Sequence, residues 1–183
     1  MNSFKWFKKK ISWNIKYFQG KWNFIEKEDL RYKNIYTLIN ESSSNPKLLD
    51  LGCGFGTLLK HFKNEEYLSY VGIDLSSNVI SKAKKRNYPK SAFFSYNIQK
   101  FIPNDKFDVI IFNEVIYYLD DPLSELKRYS EFLTESGFFI ISIYGIREDL
   151  VSLFQERFKL EKQIIVTNDK KITWGINKFT NKN

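Results

Sequence analysis

The chain has 183 residues, with 29 Lys and Arg against 21 Asp and Glu, a net charge of +8, and 43% hydrophobic and 17% aromatic residues. That length fits one domain with a small appendage, buries roughly 70% of the unfolded chain's surface, and with this apolar share excludes a disordered polypeptide. A single cysteine excludes an intramolecular disulfide, and no apolar run approaches the roughly 20 residues that span a bilayer.

The start, Met1 to Lys10, is basic but lacks the apolar stretch and cleavage site of a signal peptide, so a cytoplasmic protein is expected. Residues 3–19 read as a helix with two apolar stripes, Phe4, Phe7, Ile11, Ile15 and Phe18 on one and Trp6, Trp13 and Tyr17 on the other. One stripe is expected to pack on the core. The other faces substrate, a second copy or a membrane surface, or is buried as well. Residues 1–25 hold six Lys and no acid, whereas the remaining 158 residues carry 23 basic and 21 acidic groups. The basicity therefore belongs to this helix and does not argue for a nucleic-acid-binding domain. Arg, which suits bidentate contacts to bases, is scarce, at 5 against 24 Lys.

Glu41-Ser42-Ser43-Ser44-Asn45-Pro46 is the clearest break, dividing a helical cap over residues 1–45 from an α/β domain over residues 46–183. Beyond it, short and nearly continuous apolar runs at Lys47–Leu51, Leu68–Asp74, Ala92–Tyr96, Phe107–Phe112 and Gly137–Tyr144 read as strands buried on both faces. Thr57–Lys63, Ser77–Arg86 and Pro122–Leu133 read as helices, with Ser76 or Ser77 as a cap and Pro122 in a first turn. Leu150, Val151, Leu153, Phe154 and Phe158 mark a short amphipathic helix. Leu160–Thr167 and Ile172–Phe179 then flank Asn168-Asp169, a hairpin signal. The order predicts a seven-stranded, mostly parallel sheet with an antiparallel C-terminal hairpin and helices on both faces.

The most informative stretch is Leu48-Leu49-Asp50-Leu51-Gly52-Cys53-Gly54-Phe55-Gly56-Thr57, a buried strand running into a glycine turn. Glycine lets the backbone turn sharply and press against a ligand. The spacing Gly-x-Gly-x-Gly breaks the dinucleotide fingerprint, and no Lys-Ser/Thr follows, so a phosphate cradle of the ATPase kind is excluded. The preceding Asp50 suits an amine-bearing ligand. The next strand ends in Asp74, whose carboxylate can accept two hydrogen bonds from a ribose diol. A glycine loop with a strand-terminal acid describes a nucleoside pocket without a phosphate.

This stretch, with Gly72-Ile73-Asp74-Leu75-Ser76, Asn78–Arg86, Phe107–Leu119 and Phe138–Ile143, resembles the class I, Rossmann-like methyltransferases that use S-adenosylmethionine (SAM); the likeness covers roughly residues 46–179. The resemblance implies that Gly52 and Gly54 pass under the methionine part of SAM, with Cys53 supplying a small side chain between them. Asp50 holds the SAM amino group, Asp74 the ribose hydroxyls, and Leu75 packs on adenine. Asn97-Ile98 stands where the family often has an Asp facing the adenine amino group; the Asn carbonyl is expected to accept that bond without charge. The Asn113 backbone carbonyl meets the SAM amino group, and Arg31 or Tyr32 reaches its carboxylate. His61 is expected to pack or face solvent. No metal is implied.

Asn113-Glu114-Val115-Ile116-Tyr117-Tyr118-Leu119 is similar to a run in small bacterial N-methyltransferases, including those of nodulation-factor sugar biosynthesis. This implies methyl transfer to a small molecule, at an amine nitrogen more than at oxygen, with Glu114, Tyr117 and Tyr118 as the catalytic candidates. The rivals are RNA or protein methylation and a non-catalytic subunit of the same fold. Base amino-group enzymes usually carry Asn/Asp-Pro-Pro-Tyr/Phe where this chain has Asn113-Glu114-Val115-Ile116.

Overall fold

The computed structural model describes residues 29–182, together with Ile15 and Gln19. The two-stripe helix read over residues 3–19 therefore lies outside the described residues, apart from one helical bond from Gln19 N–H to the Ile15 carbonyl at 2.8 Å.

Four α-helices lie among the described residues: α1 (Leu30–Ser42), α2 (Ser77–Lys85), α3 (Pro122–Ser130) and α4 (Glu148–Gln155). The seven strands are β1 (Lys47–Leu51), β2 (Ser69–Asp74), β3 (Ser91–Ser95), β4 (Phe107–Asn113), β5 (Leu133–Tyr144), β6 (Phe158–Thr167) and β7 (Thr173–Asn181). They form one sheet in the order β3-β2-β1-β4-β5-β7-β6. The pairs from β3 through β5 are parallel, and β7 runs antiparallel to both β5 and β6. The expected mostly parallel sheet with a reversed C-terminal pair is thus the fold observed.

Alternation along the buried strands divides the core in two. Leu48, Val109, Ile111 and Ile140 face one side, with Ile35, Leu38 and Ile39 of α1 and Val79, Ile80 and Ala83 of α2. Leu49, Ile110, Phe112 and Ile141 face the other, with Leu126 and Tyr129 of α3 and Phe154 of α4. Because successive side chains point to opposite faces, a strand covered on both must be apolar throughout, which is why these runs read as continuous. Of the two expected cap candidates it is Ser76 whose hydroxyl accepts from Val79 N–H; Pro122 opens α3 as expected, and Asp121 before it, which the sequence pattern did not single out, accepts from Ser124 N–H.

Beyond shifts of a residue or two at strand ends, the boundaries differ in four places. Thr57–Lys63 is only a 3₁₀ turn, Thr57–His61. No side chain caps its start, and Glu66 Oε2 takes the Lys63 N–H at 2.8 Å, turning the chain away. The helix from Pro122 stops at Ser130, and β5 begins at Leu133 rather than Gly137, paired to Phe107 across a register shift. Gly137 is required there, since a Cβ would lie 2.9 Å from Thr134 N and 3.0 Å from the Phe107 carbonyl. Phe158 belongs to β6, not the amphipathic helix, and packs edge-on to Phe139. Asn168 organises a longer connection than a two-residue turn: its Oδ1 accepts from both Lys170 and Ile172 N–H.

Candidate functional site

Parallel pairing brings one row of residues to the carboxyl edge of the sheet. Leu51 pairs with Ile73 and with Phe112, so Gly52 stands between Asp74 on β2 and Asn113 on β4, while Asn113 pairs with Ser142 on β5. Alternation puts Asp50, Asp74, Asn113 and Ser142 on the face covered by α1 and α2. Edges of this kind are where open α/β sheets bind ligands.

The glycine loop is bound to β2 by hydrogen bonds from Gly52 and Cys53 N–H to the Ile73 carbonyl, at 2.7 and 3.1 Å. Gly52, Gly54 and Gly56 all adopt positive φ. A Cβ on Gly52 would lie 2.8 Å from both Cβ and Cγ2 of Val115, so the chain after β4 closes directly on the loop. Cys53 is buried, and its thiol is pushed well up by burial, chiefly, and by Asp50 and Asp74. Its Sγ would sit 2.9 Å from a Cβ on Gly72, so it is the absence of a side chain at Gly72 that makes room for the thiol.

Asp50 is 2% exposed; its Oδ2 accepts from the Tyr70 hydroxyl at 2.6 Å and its Oδ1 has no hydrogen-bond partner. Burial pushes its pKa up to about 7, the Tyr70 bond opposes this, and the Asp74 charge adds to it. Asp74 accepts from Gly54 N–H through Oδ2 and from Ser76 N–H through Oδ1, at 3.1 and 2.8 Å. Burial raises its pKa to about 6 against the pull of these amides. Each of these two oxygens keeps a further lone pair. Asn113 Oδ1 is a second buried acceptor without a partner.

Asn97 is 7% exposed and follows β3, tied to the edge by Tyr96 N–H donating to the Asp74 carbonyl at 2.9 Å. Its Oδ1 accepts from Gln99 N–H at 3.0 Å, and it is Nδ2 that is buried without a partner. The Ile98 carbonyl is taken by Arg128 Nη2 and the Tyr129 hydroxyl, which fixes this turn to α3. Leu75 is half-buried beside it.

A second cluster gathers on the other side of Gly52. Glu114 has φ +60, a left-handed conformation that a non-glycine residue adopts only at a cost of about 1–3 kcal/mol. Its Oε1 accepts from the Ser142 hydroxyl at 3.1 Å and its Oε2 from the Tyr117 hydroxyl at 2.8 Å. Arg31 Nη1 stands 3.9 Å from Oε2. The Arg31 guanidinium lies over the rings of Tyr32 and Trp174, at 4.9 and 5.2 Å. Burial, then the Glu114 carboxylate, holds the Tyr117 phenol far above its usual pKa, so it stays a hydroxyl donor. The Tyr118 ring is 4.7 Å from that of Tyr117 and 41% exposed. Tyr32 is buried and stacked on His61, itself 3.5 Å from Asp29, so His61 packs as expected. Among the described residues no group of three His, Cys, Asp or Glu is placed to hold a metal ion.

The description "methyltransferase domain" belongs to a family model that matches residues 23–170. The chain belongs to the methyltransferase-domain family. Malonyl-[acyl-carrier protein] O-methyltransferase of Bacillus cytotoxicus is 33% identical over 125 residues, 64% of this chain and 42% of the relative. The chain thus spans about two fifths of that relative's length. By structure, the methyltransferase domain is similar to 1,6-didemethyltoxoflavin-N1-methyltransferase of Burkholderia thailandensis, with TM-score 0.81, 14% identity, and 95% and 87% of the two chains covered. N-methyltransferase NodS of Bradyrhizobium japonicum WM9 gives TM-score 0.72 and 18% identity over 84% of this chain and 86% of the other. At these identities the two structures establish the Rossmann-like fold.

Four residues of the methyltransferase domain that sequence patterns did not single out complete the arrangement: Tyr70 on Asp50, Val115 on Gly52, Ser142 on Glu114 and Trp174 under Arg31. Ser142 alone carried a signal, a hydroxyl inside an otherwise apolar strand run. The other three look like ordinary core residues until the strands are paired.

Proposed function

We propose that this domain transfers a methyl group from S-adenosylmethionine to a small molecule, at an amine nitrogen in preference to oxygen. The carrying observation is the pair of buried acceptors without partners, Asp50 Oδ1 and Asn113 Oδ1, beside a glycine loop that ends against Asp74. A buried acceptor left unpaired costs about 1–3 kcal/mol, so such atoms mark where a donor arrives. An ammonium group has donors for both, with the Asn113 side-chain oxygen acting in addition to the backbone carbonyl expected there. Asp74 has lone pairs left for a ribose diol, Leu75 offers an apolar wall to adenine, and Asn97 and Ile98 line its edge. Gly52 and Gly54 let backbone pass beneath the ligand. Arg31, with Tyr32 stacked beneath it, supplies the cation for the carboxylate.

Bound there, the cofactor supplies an activated methyl group on a sulfonium. The chain's own residues then align the acceptor and exclude water. Glu114, Tyr117 and Tyr118 form the acceptor side: the Glu114 carboxylate takes an amine N–H, and the exposed Tyr118 ring, packed on Tyr117, offers a face to the developing cation. Positioning of this kind supplies on the order of 7–11 kcal/mol. No described helix is long and apolar enough to cross a membrane, and the reading places the enzyme in the cytoplasm.

The first test is calorimetric titration with S-adenosylhomocysteine (SAH), for which saturable binding is expected. No heat at millimolar ligand, with Asp74→Ala indistinguishable from the parent, overturns the reading. The second is transfer of labelled methyl from SAM to a metabolite extract. Labelling of total RNA instead assigns the enzyme to nucleic acid, and a tight complex with a partner protein without turnover assigns it to the non-catalytic class.

A further inference from the structure

Resting on the cofactor reading above, we infer that Asn97 presents a hydrogen-bond donor to the cofactor's base, so that the pocket accepts a 6-oxopurine in place of adenine. The argument begins with the Asn97 amide, whose oxygen and nitrogen are assigned by their partners. Gln99 N–H lies 3.0 Å from one terminal atom of Asn97. A backbone N–H must meet an acceptor, so that atom is Oδ1, and flipping the amide would set two donors face to face. The assignment leaves Nδ2 as the remaining terminal atom. It is buried in a residue only 7% exposed and has no partner among the described residues.

The turn that carries it is rigid. The Asn97 carbonyl accepts from both Lys100 and Phe101 N–H at 2.9 Å, and the next carbonyl, Ile98, is held by Arg128 and Tyr129 at 2.7 and 2.6 Å. The amide therefore has little freedom to turn toward another partner. Asn97 follows Tyr96, whose N–H donates to the Asp74 carbonyl at 2.9 Å, so a base attached to a ribose held by Asp74 would be expected at this turn.

A carboxylate in this place would offer acceptors only and would select a base bearing an amino group. Nδ2 offers donors. It can pair with a ring nitrogen of adenine, and equally with the 6-carbonyl of hypoxanthine. Asn97 is then a specificity-determining residue that loosens the choice of base.

The experiment compares binding of SAH and S-inosylhomocysteine by calorimetry, on the full chain and on Asn97→Asp. The parent is expected to bind the inosyl ligand within about tenfold of SAH. Asn97→Asp, of the same shape, is expected to widen the ratio in favour of SAH by about 10- to 100-fold, the range for a hydrogen bond to a charged group. A parent ratio above tenfold overturns the inference, as does a ratio unchanged by Asn97→Asp. If Asn97→Asp does not fold, by its thermal transition, the parent ratio decides alone. Failure of the cofactor reading looks different: neither ligand binds the parent.

Discussion

The Tyr70 hydroxyl donates to Asp50 Oδ2 at 2.6 Å, with both residues buried, and leaves Oδ1 open toward the glycine loop. The phenol pins the carboxylate and opposes the effect of burial on its pKa. Tyr70→Phe is expected to cost about 1–3 kcal/mol of stability at alkaline pH, where Asp50 is ionised and loses its partner. Urea unfolding at pH about 8 measures it; the same variant should move the pH midpoint of SAH binding upward. A midpoint unmoved, or moved down, rules this role out.

Asp50 and Asp74 have folded-state pKa values of about 7 and about 6, both raised by burial above the ordinary 3.8. The unliganded fold therefore binds more protons than the unfolded chain between these limits. The stability these groups contribute is full below the ordinary value and is lost as pH rises through about 6 and then about 7. Cofactor binding has the opposite sign, because an ammonium and a ribose diol favour the ionised acids. SAH affinity is expected to rise with pH and level off above about 7. Asp50→Asn should flatten the upper part of that curve and raise stability at pH about 8. A parent affinity independent of pH across this window argues against both acids touching the ligand.

Gly52 combines φ +82 with Val115 atoms 2.8 Å from where a Cβ would be. Gly52→Ala is expected to cost at least about 1–2 kcal/mol from backbone strain alone, with the clash added. Val115→Gly, which removes the Cβ together with Cγ1 and Cγ2, should recover the clash but not the strain. A double-mutant cycle by urea unfolding separates the two, and additive losses would show that Val115 does not press on Gly52.

Glu114 keeps its strained backbone with two hydroxyls on its carboxylate, from Ser142 and Tyr117. Glu114→Gln is expected to lower turnover by about 100-fold or more, the usual scale for a positioned acid–base group. Ser142→Ala, which only loosens that carboxylate, should lower it about tenfold, with SAH affinity changed less than about threefold in both. Equal loss of SAH binding and turnover would move Glu114 from the acceptor side to the cofactor side.

If residues 1–20 contact the acceptor as part of the cap, deleting them should abolish turnover while SAH binding stays within about threefold. Turnover equal to the full chain rules out a lid.

By itself the sequence determined the fold class, the glycine loop, the acid at the end of β2, the cap at Ser76 or its neighbour and the helix start at Pro122. These are local signals: glycine where φ is positive, a side chain one turn from the amide it accepts, continuous apolar runs where both sheet faces are covered. The tertiary structure decided what stands beside what. Strand order and register bring Asp50, Asp74 and Asn113 to one face of one edge, because parallel pairing joins segments that periodicity treats as equivalent. The same long-range packing sets Tyr70 on Asp50, Val115 on Gly52, and Arg31 between Tyr32 and Trp174 near Glu114. It also leaves Asn97 Nδ2 as a buried donor without a partner, since only the folded turn delivers Gln99 N–H to Oδ1.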